Sequence, residues 1–168
     1  KVIYQSEKVY SAEELERILK SEVKGFVVLS DLQLDKIKEL VKPAYRKGSR
    51  NHLCLFLSGW FAKARIDPRQ AAKLIKALHD ETKDEDSITD RCSTIIYSYS
   101  KQGLDISPFL DEIKMICCGN KDCKLSGEGR EHKGSVKGKS GIQEILEEEL
   151  GEEKALSIIE QIEEILNT

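Results

Sequence analysis

From Ser30 to Ile116 the chain is a succession of apolar stripes at three- and four-residue spacing, each fenced by a capping residue, a proline or a glycine. Only a helix gathers residues at that spacing onto one face, because about 3.6 residues make a turn. Ser30 and Gln33 have the separation of a capping box, and Leu34, Ile37, Leu40 and Val41 follow until Pro43 limits the run. Leu53, Leu57 and Phe61 predict a second helix from about Asn51 to Ala64. Asp67-Pro68 is a cap followed by proline at the first helical position, and it opens a stripe of Ala71, Ala72, Leu74, Ile75 and Leu78. Ile88, Cys92, Ile95, Ile96 and Tyr99 mark a helix near Glu85–Lys101 that Gly103 ends, and Ser107-Pro108 starts a shorter one through Ile116. Nothing alternates as βαβ units do, and short connections favour antiparallel neighbours. The expected fold is predominantly all-α, an antiparallel helix bundle.

The flanks have a different texture. Val2 to Tyr4 is β-prone, Ser11 and Glu14 have capping-box spacing before a helix near Ala12–Lys20, and Phe26 to Leu29 suits a short strand or extended chain packed on helices. Residues 1–29 therefore suggest a linker or small αβ attachment, and 30–116 the main bundle. Six glycines and many lysines between Gly119 and Gly141 suggest an exposed loop over 117–141. Residues 142–168 form an acidic helical hairpin broken at Gly151, with Leu156, Ile159, Ile162 and Leu166 on one stripe. Lys1 stands where a start would show Met, which suggests a piece of a longer chain.

Charge is segregated. The net charge of the 168 residues is −3, which argues against a non-specific nucleic-acid coat. Ser30 to Gln70 nevertheless holds nine basic residues against four acidic, while Glu144 to Glu164 holds nine Glu against one Lys. Only such local charge can focus a phosphate ligand. No run has the length and apolarity of a membrane span and none resembles a secretory leader, so a cytoplasmic protein without membrane association is expected. Five cysteines cannot all pair, which argues against a complete disulfide framework. Cys118, Cys123 and His132 are a weak candidate metal set, because adjacent Cys117 and Cys118 diverge on a helix by roughly 100°. Inert thiols or a Cys118–Cys123 disulfide suit the spacing better.

The basic residues concentrate before an apolar helix, in Lys42-Pro-Ala-Tyr-Arg-Lys-Gly-Ser-Arg-Asn51. A helix start offers unpaired N–H groups and a positive dipole end. Arg46, Lys47, Arg50 and Asn51 are thus candidate phosphate contacts, with a solvated basic loop and an ordinary Asn51 cap as the plainer alternatives. Asp84, Glu85, Asp86 and Asp90 suit the start of the helix near Glu85–Lys101, and Arg91 can pair with one of them or reach phosphate. No paired carboxylates or histidine–nucleophile partnership supports catalysis.

Two longer runs resemble a known family. Arg50-Asn-His-Leu-Cys-Leu-Phe-Leu-Ser-Gly-Trp-Phe-Ala-Lys-Ala-Arg-Ile-Asp67 and Asp84-Glu-Asp-Ser-Ile-Thr-Asp-Arg-Cys-Ser-Thr-Ile-Ile-Tyr97 resemble the helix-bundle domain of archaeal plasmid and viral primase-polymerases. The matching elements are Arg50-Asn51 at a helix start, Gly59 within it, the Ile66-Asp67 turn, the acids Asp84 and Asp86, and Arg91 before Tyr97 or Tyr99. The cysteine-containing loop and the acidic tail have no counterpart there. The resemblance implies a non-catalytic accessory domain C-terminal to a catalytic primase-polymerase domain, in a parent that can carry a helicase domain. Such a domain binds single-stranded DNA template and nucleoside triphosphate, ATP or dNTP with Mg, to support primer initiation.

Against that background Trp60 is a candidate for stacking on a template base, or else a partly buried packing residue. Tyr97 and Tyr99 are two apart, so at most one faces a given groove. Lys63 and Arg65, at the far end of the same helix as Arg50, are candidates for following a nucleic-acid backbone. The competing class is a structural or protein-docking bundle within a replication protein, offering the stripe from Leu156 to Leu166 to a partner. A duplex-DNA reader lacks an evident recognition helix.

Overall fold

The computed structural model describes residues 11–13, 15, 25–125 and 137–167. Among these are seven α-helices: α1 (Asp31–Val41), α2 (Arg50–Lys63), α3 (Pro68–Glu81), α4 (Ile88–Lys101), α5 (Leu110–Cys118), α6 (Lys139–Leu150) and α7 (Glu152–Leu166). Short 3-10 turns at Lys42–Ala44 and Ser107–Phe109 precede α2 and α5. The expected all-α bundle is the fold observed. Val2–Tyr4, most of the predicted Ala12–Lys20 helix and His132 lie outside the described residues.

Local signals set most boundaries. Ser30 accepts from the Gln33 amide at 3.1 Å while the Gln33 side chain accepts from the Ser30 amide at 2.9 Å, so the capping box forms. Asp67 caps α3 through the Arg69 amide at 2.8 Å, with Pro68 at its first turn. Gly151, at φ +91°, separates α6 from α7 as the acidic tail predicted. Two boundaries differ from expectation. Ser49, not Asn51, holds the N-cap position of α2, and its hydroxyl donates to the Ala44 and Arg46 carbonyls. α4 starts at Ile88 under a Ser87 cap, and Asp84 and Asp86 before it are ion-paired with Arg91.

At the centre lies α2, every residue of which from Leu53 to Ala62 is buried. A helix that is apolar all round belongs inside a bundle, and α2 packs against α3, α4 and α6. Gly141 of α6 lies against the Phe56 ring, where an added Cβ would come 2.6 Å from Phe56 Cγ. The tail helices share one hydrophobic core with α1 to α5. On α7 the buried residues are Ala155, Ile158, Ile159, Ile162, Ile165 and Leu166, while Leu156 is exposed. The stripe read as a docking face is thus largely covered by α6 and α1.

Before α1, Phe26 to Leu29 is extended chain anchored by a single parallel bridge, Val27 to Ile66. The Gln70 amide grips both backbone groups of Leu29. Phe26 stacks edge-on against Phe109, 5.6 Å between centroids, and the buried Tyr99 hydroxyl donates to the Ile66 carbonyl at 2.6 Å. Four cysteines are paired: Cys92 with Cys117, joining α4 to α5, and Cys118 with Cys123. Cys54 is left as a buried thiol.

Candidate anion-binding site

The start of α2, the loop after α3 and the first turn of α4 meet at one carboxylate. Asp84 has a side chain with no solvent exposure. Its Oδ2 accepts from the Tyr45 hydroxyl at 2.5 Å and from Arg91 Nε at 2.8 Å. Its Oδ1 accepts from Arg50 Nη1 and Arg91 Nη2, each at 3.3 Å, and from the Asp86 amide at 3.0 Å. Burial alone would push the Asp84 carboxyl up, yet the bonds from Arg91 and Tyr45 overcome it and hold the group well below the usual carboxylate range. Burial, then the neighbouring Cys54 and Asp84, push the Tyr45 phenol well above its ordinary value, so it stays a donor. Arg91 loses solvation by burial but remains firmly charged through Asp84.

The loop that carries Asp84 is fixed by its own backbone. The Asp84 amide donates to the His79 carbonyl at 2.9 Å, and His79 Nε2 lies 2.7 Å from the Asp86 carbonyl. That carbonyl can only accept, so Nε2 carries the proton. Asp86 Oδ2 in turn takes Arg91 Nη2 at 2.6 Å from an exposed position. Arg50 lies over the Tyr45 ring, 5.6 Å from its centroid, and its buried Nε has no hydrogen-bond partner among the described residues.

The three basic residues around the start of α2, Arg46, Lys47 and Arg50, do not converge as expected. Arg50 turns inward to Asp84, whereas Arg46 donates to the Pro43 carbonyl at 2.9 Å and lies 3.5 Å from Glu149 of α6. Lys47 and Asn51 are exposed beside them. The convergence is instead between Arg50 and Arg91, 41 positions apart. Asp84 and Asp86 are the acids with which Arg91 was expected to pair, and it pairs with both; Tyr45 and His79 complete this site and were missed as members of it. Tyr45 lies 39 positions from Asp84, so no local spacing links the two halves of the site.

The expected base-stacking residues are not available as platforms. Tyr99 is fully buried and its hydroxyl is committed to Ile66. Trp60 is 8% exposed, because α6 begins against it: an added Cβ on Gly138 would lie 3.4 Å from the Trp60 amide nitrogen. Tyr97 is 7% exposed and lies beneath the Lys101 ammonium, 5.7 Å from its ring centroid. Lys63 and Arg65 are exposed at the far end of α2, and Arg65 Nε approaches the Gly25 carbonyl at 3.5 Å.

Among the described residues no group of three or more His, Cys, Asp or Glu could hold a metal ion, and Cys118 is bonded to Cys123. No helix among them is long and apolar enough to cross a membrane. Clefts of about 170 and 380 Å³ flank α3, the larger under Arg69, Lys73 and Met115, and neither is lined by a residue expected to bind phosphate. No protein-family model, curated protein or solved structure matches the chain.

Proposed function

We propose that this bundle is a non-catalytic accessory domain of a DNA primase-polymerase, binding nucleoside triphosphate and single-stranded template beside a catalytic domain. One observation carries the reading. Two guanidiniums from distant parts of the chain, Arg50 and Arg91, sit on a single buried carboxylate at the mouth of α2. Planar, permanently charged groups held in place beforehand are what phosphate recognition requires. Arg46 and Lys47 add exposed positive charge on the preceding turn. The resemblance of the two runs, which contain Arg50 and Arg91, supports the same class of ligand.

The template side of the reading rests on backbone contacts alone. With Trp60, Tyr97 and Tyr99 buried, strand binding is electrostatic and indifferent to base, running toward Lys63 and Arg65 about 20 Å along the 14-residue α2. A titration of backbone amide shifts with a short single strand, with and without ATP and magnesium, tests both surfaces. ATP is expected to move the amides of residues 45–52 and 84–91, affinity is expected to fall as salt rises, and Arg50→Ala should weaken binding without unfolding the bundle. Unchanged shifts in both segments at low salt would remove the reading. The protein-docking alternative loses its main support, since of its stripe only Leu156 is exposed.

A further inference from the structure

We infer that Asp86 is a built-in counter-ion that occupies the place of a ligand phosphate on Arg91 and leaves when one binds. The inference rests on the phosphate-binding reading above. Arg91 divides its donors between two carboxylates of opposite character. Asp84 takes Nε and shares Nη2 from within the core, with a side chain at 0% exposure, whereas Asp86 takes Nη2 with a side chain at 67% exposure. A buried partner cannot depart without leaving a charge unpaired. A solvated one leaves at little cost, because water replaces what it gives up.

The departure needs no unfolding. The Asp86 amide is tied to Asp84 Oδ1 at 3.0 Å and its carbonyl to His79 Nε2 at 2.7 Å, so rotation of the side chain alone clears Arg91. What is uncovered suits an anion with several oxygens. Arg91 Nη2 and Arg50 Nη1 both lie 3.3 Å from the same Asp84 oxygen and are therefore neighbours. With Asp86 in place the two arginines face two carboxylates. With Asp86 turned out, one positive charge is uncompensated, and a polyphosphate outcompetes a lone carboxylate for it. Asp86 would thereby set a threshold, admitting multiply charged phosphate and rejecting weaker anions.

Inorganic tripolyphosphate, titrated calorimetrically into the full chain at low salt, tests this without a base or sugar. Asp86→Asn should bind it about tenfold more tightly than the wild type, the scale of one nearby charge at a screened surface. Asp86→Glu should restore wild-type affinity, and the denaturation midpoints of both variants should stay close to wild type. Equal or weaker binding by Asp86→Asn, or no binding by either protein, overturns the inference. If Asp86→Asn binds tripolyphosphate more tightly than wild type yet neither binds ATP or single-stranded DNA, the inference stands and the primase reading falls.

Discussion

Replacing Asp84 with Asn should be among the most damaging single-atom changes available to this chain. The substitution removes one charge and turns one acceptor oxygen into a donor nitrogen. Oδ2 faces the Tyr45 hydroxyl and Arg91 Nε, while Oδ1 faces three N–H donors, so the new amide nitrogen opposes donors in either orientation. Arg91, with a side chain 7% exposed, then keeps only the exposed Asp86 as counter-ion. Breaking a buried pair by removing one partner costs about 3–5 kcal/mol. That is a large share of the roughly 5–15 kcal/mol that holds a domain folded. At about 2–4 °C per kcal/mol for a chain of this size, the melting midpoint should fall by roughly 6–20 °C. Helical circular dichroism against temperature and urea measures both quantities. Asp35→Asn, whose carboxylate is 59% exposed against Lys38, is the control and should stay within about 0.5 kcal/mol of wild type. An Asp84→Asn loss below about 1 kcal/mol would refute the reasoning, because the arginines would then need no buried anion.

Acid should erase the difference between these two proteins. The folded-state carboxyl of Asp84 is depressed, so its stabilisation is fully present above the unfolded value near pH 4 and is lost as pH falls through the folded value; urea midpoints of wild type and Asp84→Asn should begin to draw together below about pH 4 and approach one another progressively with further acid. Tyr45→Phe removes one donor to that carboxylate and should cost about 1.5–3 kcal/mol by the same denaturation assay. Thiol labelling of the unreduced, unfolded chain should find one cysteine outside the two disulfides, Cys54. The paired Ser replacement of Cys92 and Cys117, 25 positions apart, should cost about 3–4 kcal/mol, against about 2 kcal/mol for Cys118 and Cys123, five apart, a ranking that equal urea midpoints would contradict. Gly141→Ala should destabilise by about 1–3 kcal/mol through overlap with Phe56, and pairing it with Phe56→Leu should recover part of that loss.

How far the chain could be read in advance follows from the range over which each signal acts. Caps, prolines and terminal glycines operate within four residues, and Ser30 with Gln33, Asp67 with Pro68, and Gly151 do what their spacing implies. The Cys118–Cys123 bond is likewise local. The Cys92–Cys117 bond is not, and two cysteines on separate helices give no spacing cue. For the acids at 84 and 86 the pairing with Arg91 was legible, while the helix-start reading failed for a related reason. Beside a helix start they look like dipole partners, but a buried guanidinium at Arg91 attracts them more strongly than a partial charge at a helix end.

The aromatic residues show the same limit from the packing side. Deciding whether Trp60 lies in the core or at an edge requires knowing what covers the second side of α2, and that cover is α6, almost 80 residues later in the chain. The unbroken burial from Leu53 to Ala62 had a trace in the sequence, since Cys54, Leu55 and Phe56 fill directions that a one-faced helix would give to polar groups. Such a helix demands neighbours on every side, and five helices without the acidic tail leave one side open. The tail is therefore part of what buries α2. Arg46, at the loop before α2, makes its ion pair with Glu149 of that tail. Loosening α6 should accordingly free Arg46 while leaving Arg50 and Arg91 on Asp84, so a Gly141→Ala variant that still folds should bind polyphosphate at least as well as wild type. Loss of binding in such a variant would mean that the site needs α6 itself.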